Sequence, residues 1–294
     1  MKLPKTKGKI TFNKKLDKYS WFGVGGEGEV IFEPEDINDL QNFLQNIDKD
    51  IPITIIGGGS NLLIRDGGID GIIIVLKNMK KIELLNNNIV AECGALNYKL
   101  YEFTKNKSID GYEFLGTIPG TIGGAISGNA GCYGSEVKDV LISVEAMDLR
   151  GNIKTFTNKD CNFEYRKNNL PKDLIFIKAT FDASKNKAPE EIEQEFLAMQ
   201  EKRKNSQPYG VKTCGSTFKN PTEKPAWKIV QELGYQNKEI NNAVMSLKHA
   251  NFMVNMGNAK AKDLENLGNT IIKDAKEKLN INLEWEIKII GKDK

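Results

Sequence analysis

Apolar residues recur along the first half of the chain in two periods, one typical of helices and one typical of strands. The helical period is clearest after Pro34, where four apolar side chains share one face of a helix: Ile37, Leu40, Phe43 and Leu44. Short β-branched runs bounded by glycine or asparagine predict strands. The predicted elements are a helix over 35–46, strands over 52–56 and 71–76, a hairpin over 81–94 that turns at 86–88, and a helix over 95–106.

The second half of the chain changes character at the polar stretch "SKNKAPEE", residues 184–191. Strands are predicted in the about 45 residues directly before this stretch, whereas helices and strands alternate after it. These elements are strands over 140–151, 152–157 and 173–183, helices over 189–205, 225–234 and 261–279, and strands over 250–255 and 283–290. We therefore predict a first domain over 1–185, with subdomains of about 1–76 and 77–185, and a second domain over 186–294.

A first glycine-rich stretch, "GGGSN", follows the predicted strand over 52–56. Glycine lets the backbone approach a ligand closely, and successive N–H groups in such a turn can bind an anion. The stretch lacks the lysine of a phosphate-binding P-loop and the helix of a dinucleotide fingerprint. For a lone "GGG", a tight turn between strands is the favoured interpretation.

A second glycine-rich stretch covers residues 116–134 and holds seven glycines in nineteen residues. Its isoleucines distinguish it from a polar linker, so we expect a structured segment in which backbones approach closely. Two such segments in one domain favour one long ligand that contacts both.

Composition and charge reduce the number of function classes that fit the sequence. The formal charge is +3 without a dense basic block, which fits a small anionic ligand and predicts no nucleic-acid partner. A single histidine and four cysteines without a CxxC pair make a zinc site improbable, and we expect no metal. Free thiols, no apolar run of about 20 residues and no secretory signal predict a cytoplasmic protein without a membrane span.

Six motifs in order carry a family resemblance: "GGGSNLL", "GTIPGTIGGAISGNAG", "YRKN", "GSTFKNP", "KHANFMVN" and "LEWEIKIIG". Together they resemble the UDP-N-acetylenolpyruvoylglucosamine reductases, flavoenzymes of peptidoglycan precursor synthesis. The resemblance implies an α+β (mixed α/β) fold class. It implies a two-subdomain FAD-binding domain of the vanillyl-alcohol-oxidase type, followed by an α/β substrate-binding domain. No insertion for an extra tyrosine-bearing loop is visible, so the chain resembles the shorter type of the family.

The resemblance implies non-covalent FAD and names its contacts. The first loop would hold the diphosphate through Gly57, Gly58, Gly59, Ser60 and Asn61. The second loop would line the flavin and ribityl chain through Thr117, Ile118, Pro119, Gly120, Gly123, Gly124, Asn129 and Gly131.

The reaction implied is reduction of UDP-N-acetylglucosamine enolpyruvate by NADPH, and it needs a fixed cation and a proton donor. By resemblance, Arg166 would polarise the substrate carboxylate and Ser216 would donate the proton. Alone, a loop arginine and a serine after glycine are ordinary surface and turn residues. Strand alternation puts Glu284 and Glu286 on one face, and the resemblance selects Glu286 as the catalytic glutamate.

The same resemblance assigns substrate contacts to Asn220, Arg203 and Lys204, and it implies a monomer that binds only small molecules. We expect His249 to be structural.

Two rival functions stay open at this stage. One is an oxidase of the same cofactor fold that acts on an alcohol or sugar, for which Cys132 beside the second loop could tether the flavin. The other is a non-catalytic nucleotide-binding module, which would not need Arg166, Ser216 and Glu286 together.

Overall fold

A computed structural model describes residues 2–294 and divides them into two compact units. The first unit comprises the chain up to Phe12, Val30–Gly58 and Gly71–Glu201. The second comprises Asn13–Glu29, Gly59–Asp70 and Lys202–Lys294. Each unit is thus assembled from three separate stretches of sequence.

Sixteen strands lie within residues 2–294. In chain order they are β1 Lys9–Lys15, β2 Glu27–Glu33, β3 Ile53–Ile56, β4 Leu62–Ile64, β5 Ile69–Val75, β6 Ile82–Leu85, β7 Asn88–Glu92, β8 Gly131–Cys132, β9 Ser135–Glu136, β10 Leu141–Met147, β11 Ile153–Thr157, β12 Ile175–Asp182, β13 Glu239–Ile240, β14 Ala243–Met245, β15 Met253–Asn255 and β16 Lys288–Ile290.

Eight α-helices lie in the same described residues. They are α1 Ile37–Asn46, α2 Asn97–Asn106, α3 Glu113–Thr117, α4 Ile122–Ser127, α5 Asn158–Cys161, α6 Pro189–Ser206, α7 Ala226–Glu232 and α8 Ala261–Leu279. None of the helices in residues 2–294 is long and apolar enough to cross a membrane.

The first unit is organised around sheets with buried faces. One sheet has five strands in the order β11-β10-β12-β7-β6, and all its neighbours are antiparallel. A four-stranded sheet has the order β1-β2-β5-β3, and β3 runs parallel to β5. Helix α1 packs on this sheet, where the Phe32 and Phe43 rings stack with centroids 4.2 Å apart. The Asp36 carboxylate caps α1 by accepting the N–H of Asp39.

The second unit has its own apolar core, formed largely by α7, α8 and the short antiparallel sheet β13-β14-β15. Strands β4 and β16 pair in parallel, with Leu62 opposite Lys288. The Arg65 guanidinium forms a bidentate ion pair with Glu265 at 2.6 and 2.8 Å, which joins β4 to α8. Long-range pairs of this kind unite stretches of chain that are far apart in sequence.

The structure confirms most of the predicted elements. Helix α8 has the predicted bounds, and the hairpin β6–β7 turns at Asn86 and Asn87, which both have positive φ. The final strand is shorter than predicted, because Leu283–Ile287 pairs with its neighbour only through the isolated bridge between Phe218 and Trp285. Strands β1, β2, β4, β8, β9, β13 and β14 and the short helices α3, α4 and α5 were not predicted.

The compact units also differ from the predicted contiguous domains. Residues 13–29 and 59–70 cluster with the C-terminal part of the chain, and the last crossing lies at 201/202 rather than 185/186. The functional division into a cofactor domain and a substrate domain stays a prediction.

Candidate active site

The two glycine loops meet inside the first unit. Residues Gly57 and Gly58 continue directly from β3. A Cβ built on Gly57 would lie 2.8 Å from the Thr121 hydroxyl, and one on Gly58 would lie 2.8 Å from Gly120 Cα. The contact at Gly58 is with backbone, which leaves no room for a side chain, so the loops can approach this closely there only because the residue is glycine.

The adjoining loops leave backbone donors available. Within residues 2–294, the N–H groups of Gly58, Gly120 and Thr121 make no hydrogen bond. Unpaired N–H groups on adjoining turns form a concavity that suits an anion such as a diphosphate. The residues present therefore fit the diphosphate of a flavin dinucleotide.

The second loop is held in place by hydrogen bonds with α2 and with the residue that follows β7. Thr121 caps the short helix α4, and the N–H of Gly123 donates to Cys93 O at 2.9 Å. Asn97 makes two further contacts, from its backbone N–H to Gly120 O at 3.1 Å and from its side-chain amide to Ile118 O at 3.2 Å. The segment is thus structured, as its isoleucines indicated. Thr121 and Asn97 are site residues that the sequence analysis missed.

Asn129 is fully buried and its side chain is occupied by the protein. Its amide donates to the Glu136 carboxylate and to Glu164 O, both at 3.1 Å, and its Oδ1 accepts the N–H of Lys138. It therefore joins the second loop to the turn that carries Arg166. Because the Asn129 side chain is already hydrogen-bonded within the protein, any contribution of Asn129 to cofactor binding would come from holding the backbone of the second loop in place.

Arg166 has a left-handed backbone conformation, with φ of +57°. Its Nη2 donates to Gly131 O at 3.0 Å, and its guanidinium lies 5.0 Å from the Tyr165 ring. A non-glycine residue with positive φ is strained, and such strain is concentrated at functional sites. Arg166 and Gly131, both predicted site residues, are therefore in direct contact within the first unit.

The rest of the first loop belongs to the second unit. Gly59 has a φ of +68°, and a Cβ there would lie 2.1 Å from Tyr19 O. The Cys214 thiol lies next to Gly59 O. Burial raises the pKa of this thiol to about 11. Asn61 contacts the stretch that carries Glu286, since its amide donates to Glu286 O at 3.0 Å.

Ser216 and Glu286 are brought close together in the second unit. Glu286 donates its backbone N–H to Thr217 O at 2.9 Å, so the two predicted catalytic residues are separated by one residue and one hydrogen bond. Ser216 also forms a bridge with Phe252. Within residues 2–294, the Ser216 hydroxyl makes no hydrogen bond that would raise its acidity.

The predicted substrate contacts also lie in the second unit. The Asn220 side chain accepts the N–H of Ala226 at 3.0 Å, which caps α7 and leaves its amide NH₂ available. Arg203 and Lys204 lie in the last turn of α6, and the Lys204 ammonium is 5.9 Å from the Tyr209 ring. Lys248 donates to Lys204 O, which ties the end of α6 to the loop before β15.

His249 is half-buried and its ring contacts neighbouring residues of the second unit. Its Nδ1 accepts the N–H of Asn251 at 3.3 Å, and its ring packs edge-on against Phe252 with centroids 4.7 Å apart. Burial lowers the pKa of His249, which favours the neutral ring that accepts this hydrogen bond.

Comparison with known proteins supplies the family. The family model described as UDP-N-acetylenolpyruvoylglucosamine reductase, C-terminal domain, matches residues 207–290, and an FAD binding domain model matches residues 28–157. The reductase of that name from Rickettsia typhi is 46% identical over 99% of this chain and 98% of its own length. This chain belongs to the UDP-N-acetylenolpyruvoylglucosamine reductase family. The Rickettsia prowazekii reductase is 45% identical over the same shares of both chains.

A solved structure agrees with this membership. The crystal structure of the UDP-N-acetylenolpyruvylglucosamine reductase from Thermus caldophilus is 28% identical, with a TM-score of 0.83 over 98% of this chain and all of that chain. The resemblance, the fold class and the cofactor FAD are thereby confirmed. The chain is an FAD-dependent reductase of peptidoglycan precursor synthesis. The roles of its individual residues stay predictions.

Proposed function

We propose that this protein reduces UDP-N-acetylglucosamine enolpyruvate to UDP-N-acetylmuramate with NADPH as the hydride donor. Bound FAD would supply the redox chemistry, namely the transfer of a hydride from NADPH to C3 of the enolpyruvyl group. The diphosphate of FAD would be held by the backbone of the first loop, Gly57 to Asn61, and its flavin end by the second loop around Gly120. The unpaired N–H groups of Gly58, Gly120 and Thr121 support this assignment.

Arg166 stabilises the charge that develops on the substrate when hydride is added to C3. The enolpyruvyl carboxylate must absorb that charge, and a guanidinium can pair with both carboxylate oxygens at once. The strained backbone of Arg166 and its bond to Gly131 O support a fixed orientation, which lowers the reorganisation needed during reaction.

Ser216 donates a proton to C2, and Glu286 hydrogen-bonds the enol-like form of the substrate. The observation that carries this pairing is the hydrogen bond of 2.9 Å from Glu286 N to Thr217 O, which joins Glu286 to the residue that follows Ser216. A serine hydroxyl is a weak acid, so the nearby glutamate would have to support proton transfer, directly or through water.

Asn220, Arg203 and Lys204 bind the substrate diphosphate. The bond from Ala226 N fixes the Asn220 side chain with its NH₂ available to an anion, and the two cations stand together at the end of α6. The enzyme acts as a monomer in the cytoplasm. Free cysteines at all four positions support a reducing compartment.

Two additions to the purified protein test the function. NADPH under anaerobic conditions should bleach the flavin absorbance, and UDP-N-acetylglucosamine enolpyruvate should then restore it. Ser216→Ala should block the recovery and spare the bleaching. If the flavin is reoxidised only when air enters, the substrate assignment is wrong and an oxidase is favoured.

A further inference from the structure

We propose that Asn251 is a positioning residue that holds the backbone carrying Ser216 in register with the backbone carrying Glu286. This inference rests on the proposed roles of those two residues. Asn251 lies in the loop between β14 and β15 and is 3% exposed. No side-chain atom of Asn251 is required to touch the substrate in this role.

The side chain of Asn251 substitutes for a neighbouring strand. Its Oδ1 accepts the N–H of Phe218 at 3.0 Å, and its Nδ2 donates to Phe218 O at 2.8 Å. Its own carbonyl accepts the N–H of Thr217 at 2.7 Å. One residue therefore satisfies three of the four backbone groups of Thr217 and Phe218, the two residues after Ser216, where a regular strand pair is missing.

The restrained segment is also the one that holds Glu286. Thr217 O accepts the Glu286 N–H at 2.9 Å, and Lys219 N donates to Glu284 O at 2.9 Å. A shift of residues 217–219 would therefore move the Glu286 backbone. Asn251 is thus connected to Glu286 through one intervening residue.

A second route connects Asn251 to Ser216 through the two residues that follow Asn251 in the chain. The residue after Asn251 is Phe252, which forms the isolated bridge with Ser216. The next residue, Met253, donates its N–H to the Thr217 hydroxyl at 3.0 Å. His249 accepts the Asn251 N–H and fixes the entry to this short segment. Ser216 and Thr217 are therefore held by three consecutive residues, Asn251, Phe252 and Met253.

Asparagine is required because both its donor and its acceptor are used by one backbone unit. Alanine would leave the Phe218 N–H and carbonyl without their partners, and aspartate would keep the acceptor but lose the donor. A displacement of well under 1 Å in a catalytic group is enough to reduce a rate strongly. The loss should therefore be larger in the substrate half-reaction than in the flavin reduction by NADPH.

The chain offers a matched control in Asn255. It is also buried, at 4% exposure, and its side chain makes three hydrogen bonds, to Phe22 O and from the N–H groups of Gly257 and Ala259. None of these partners carries Ser216 or Glu286. Asn255→Ala and Asn255→Asp thus remove a comparable buried amide from the same unit.

The test compares two half-reactions in the flavin-loaded variants by stopped-flow absorbance. Asn251→Ala should slow reoxidation by the enolpyruvyl substrate at least tenfold and change reduction by NADPH less than twofold. Asn251→Asp, which keeps the shape of the side chain, should show the same split if Asn251→Ala fails to fold. Asn255→Ala and Asn255→Asp should lower the melting temperature and leave both rates within twofold.

The outcomes separate this inference from the proposed function. If Ser216→Ala slows reoxidation but the Asn251 variants do not, Asn251 has no positioning role. If the Asn251 and Asn255 variants slow reoxidation equally, the effect is only structural and the inference is overturned. If Ser216→Ala itself leaves reoxidation unchanged, the proposed catalytic role of Ser216 fails instead.

Discussion

Gly58 lies so close to Gly120 that a Cβ added to the first would be 2.8 Å from the Cα of the second. We therefore expect Gly58→Ala to separate the two glycine loops. Overpacking of this kind costs about 1–3 kcal/mol of the free energy of unfolding. The variant should also bind FAD more weakly, which flavin fluorescence titration of the apoprotein would measure.

Gly128→Ala is the matched control for that substitution. Gly128 lies in the second loop, as Gly120 does, with a φ of −106°, and an added Cβ would be no closer than 3.8 Å to Gly124 O. We expect its FAD affinity and melting temperature to be close to those of the wild type. Equal losses in both variants would contradict the role given to the contact between the loops.

The contacts that require glycine in the first loop could not be predicted from the sequence. The composition of "GGGSN" predicted a close approach of the backbone but could not say to what. The structure shows that Gly57 and Gly58 face the second loop, whereas Gly59 faces Tyr19 O. Periodicity predicts local elements well, as α8 shows, because it reports on one face of one element. A contact between residues 58 and 120 leaves no such local pattern.

In the candidate site, too, individual residues could be predicted from motifs, whereas the contacts between them could not. Ser216 and Glu286 were selected by motif, and their closeness depends on a hydrogen bond between stretches that are 69 residues apart. Asn251 and Thr121 were missed because an asparagine or threonine in a loop is normally a turn or cap residue. The short helices α3 and α4 were missed because glycine-rich segments have low helix propensity.

Arg166→Lys should reduce turnover although it keeps the positive charge. Lysine cannot pair with both oxygens of a carboxylate, and it would lose the geometry set by Gly131 O. We expect reoxidation of the flavin by the enolpyruvyl substrate to slow by about 10²–10³-fold, as for loss of one charge-stabilising donor. Reduction by NADPH should be unchanged, and a parallel loss in both half-reactions would point to misfolding instead.

Glu286→Gln and Glu284→Gln form a pair of variants that tests which glutamate is catalytic. The Glu284 side chain is 71% exposed and pairs with Lys219 at 2.9 Å. Removal of a general acid or base costs about 10²–10⁴-fold, so Glu286→Gln should lose activity on this scale. Glu284→Gln should stay within twofold in steady-state turnover. The reverse order would transfer the role to Glu284.

His249 should make stability fall at mildly acidic pH. Burial lowers the pKa of His249 below its ordinary value of 6.5, so the unfolded chain takes up the proton first as pH falls. The stabilising contribution is complete above pH 6.5 and is lost below it, at no more than about 1.4 kcal/mol per pH unit. Because His249 is the only histidine in the sequence, His249→Asn should flatten the stability profile between about pH 5 and 7 in urea titrations. An unchanged slope would mean that His249 titrates alike in both states.

Cys132 should be the one cysteine that reacts with a thiol reagent in the folded protein. It is partly exposed, whereas the other three are at most 2% exposed, and burial raises the pKa of Cys161 and Cys214 to about 11. We therefore expect one fast thiol per chain with an aromatic disulfide reagent, four after denaturation, and none fast in Cys132→Ser.

The Cys132→Ser variant also tests how the flavin is held. Non-covalent binding of FAD, which the family resemblance implies, predicts a colourless acid-precipitated wild-type chain and a native Cys132→Ser protein that still binds FAD. Colour that stays with the wild-type pellet and is lost from the Cys132→Ser pellet would instead identify Cys132 as a tether.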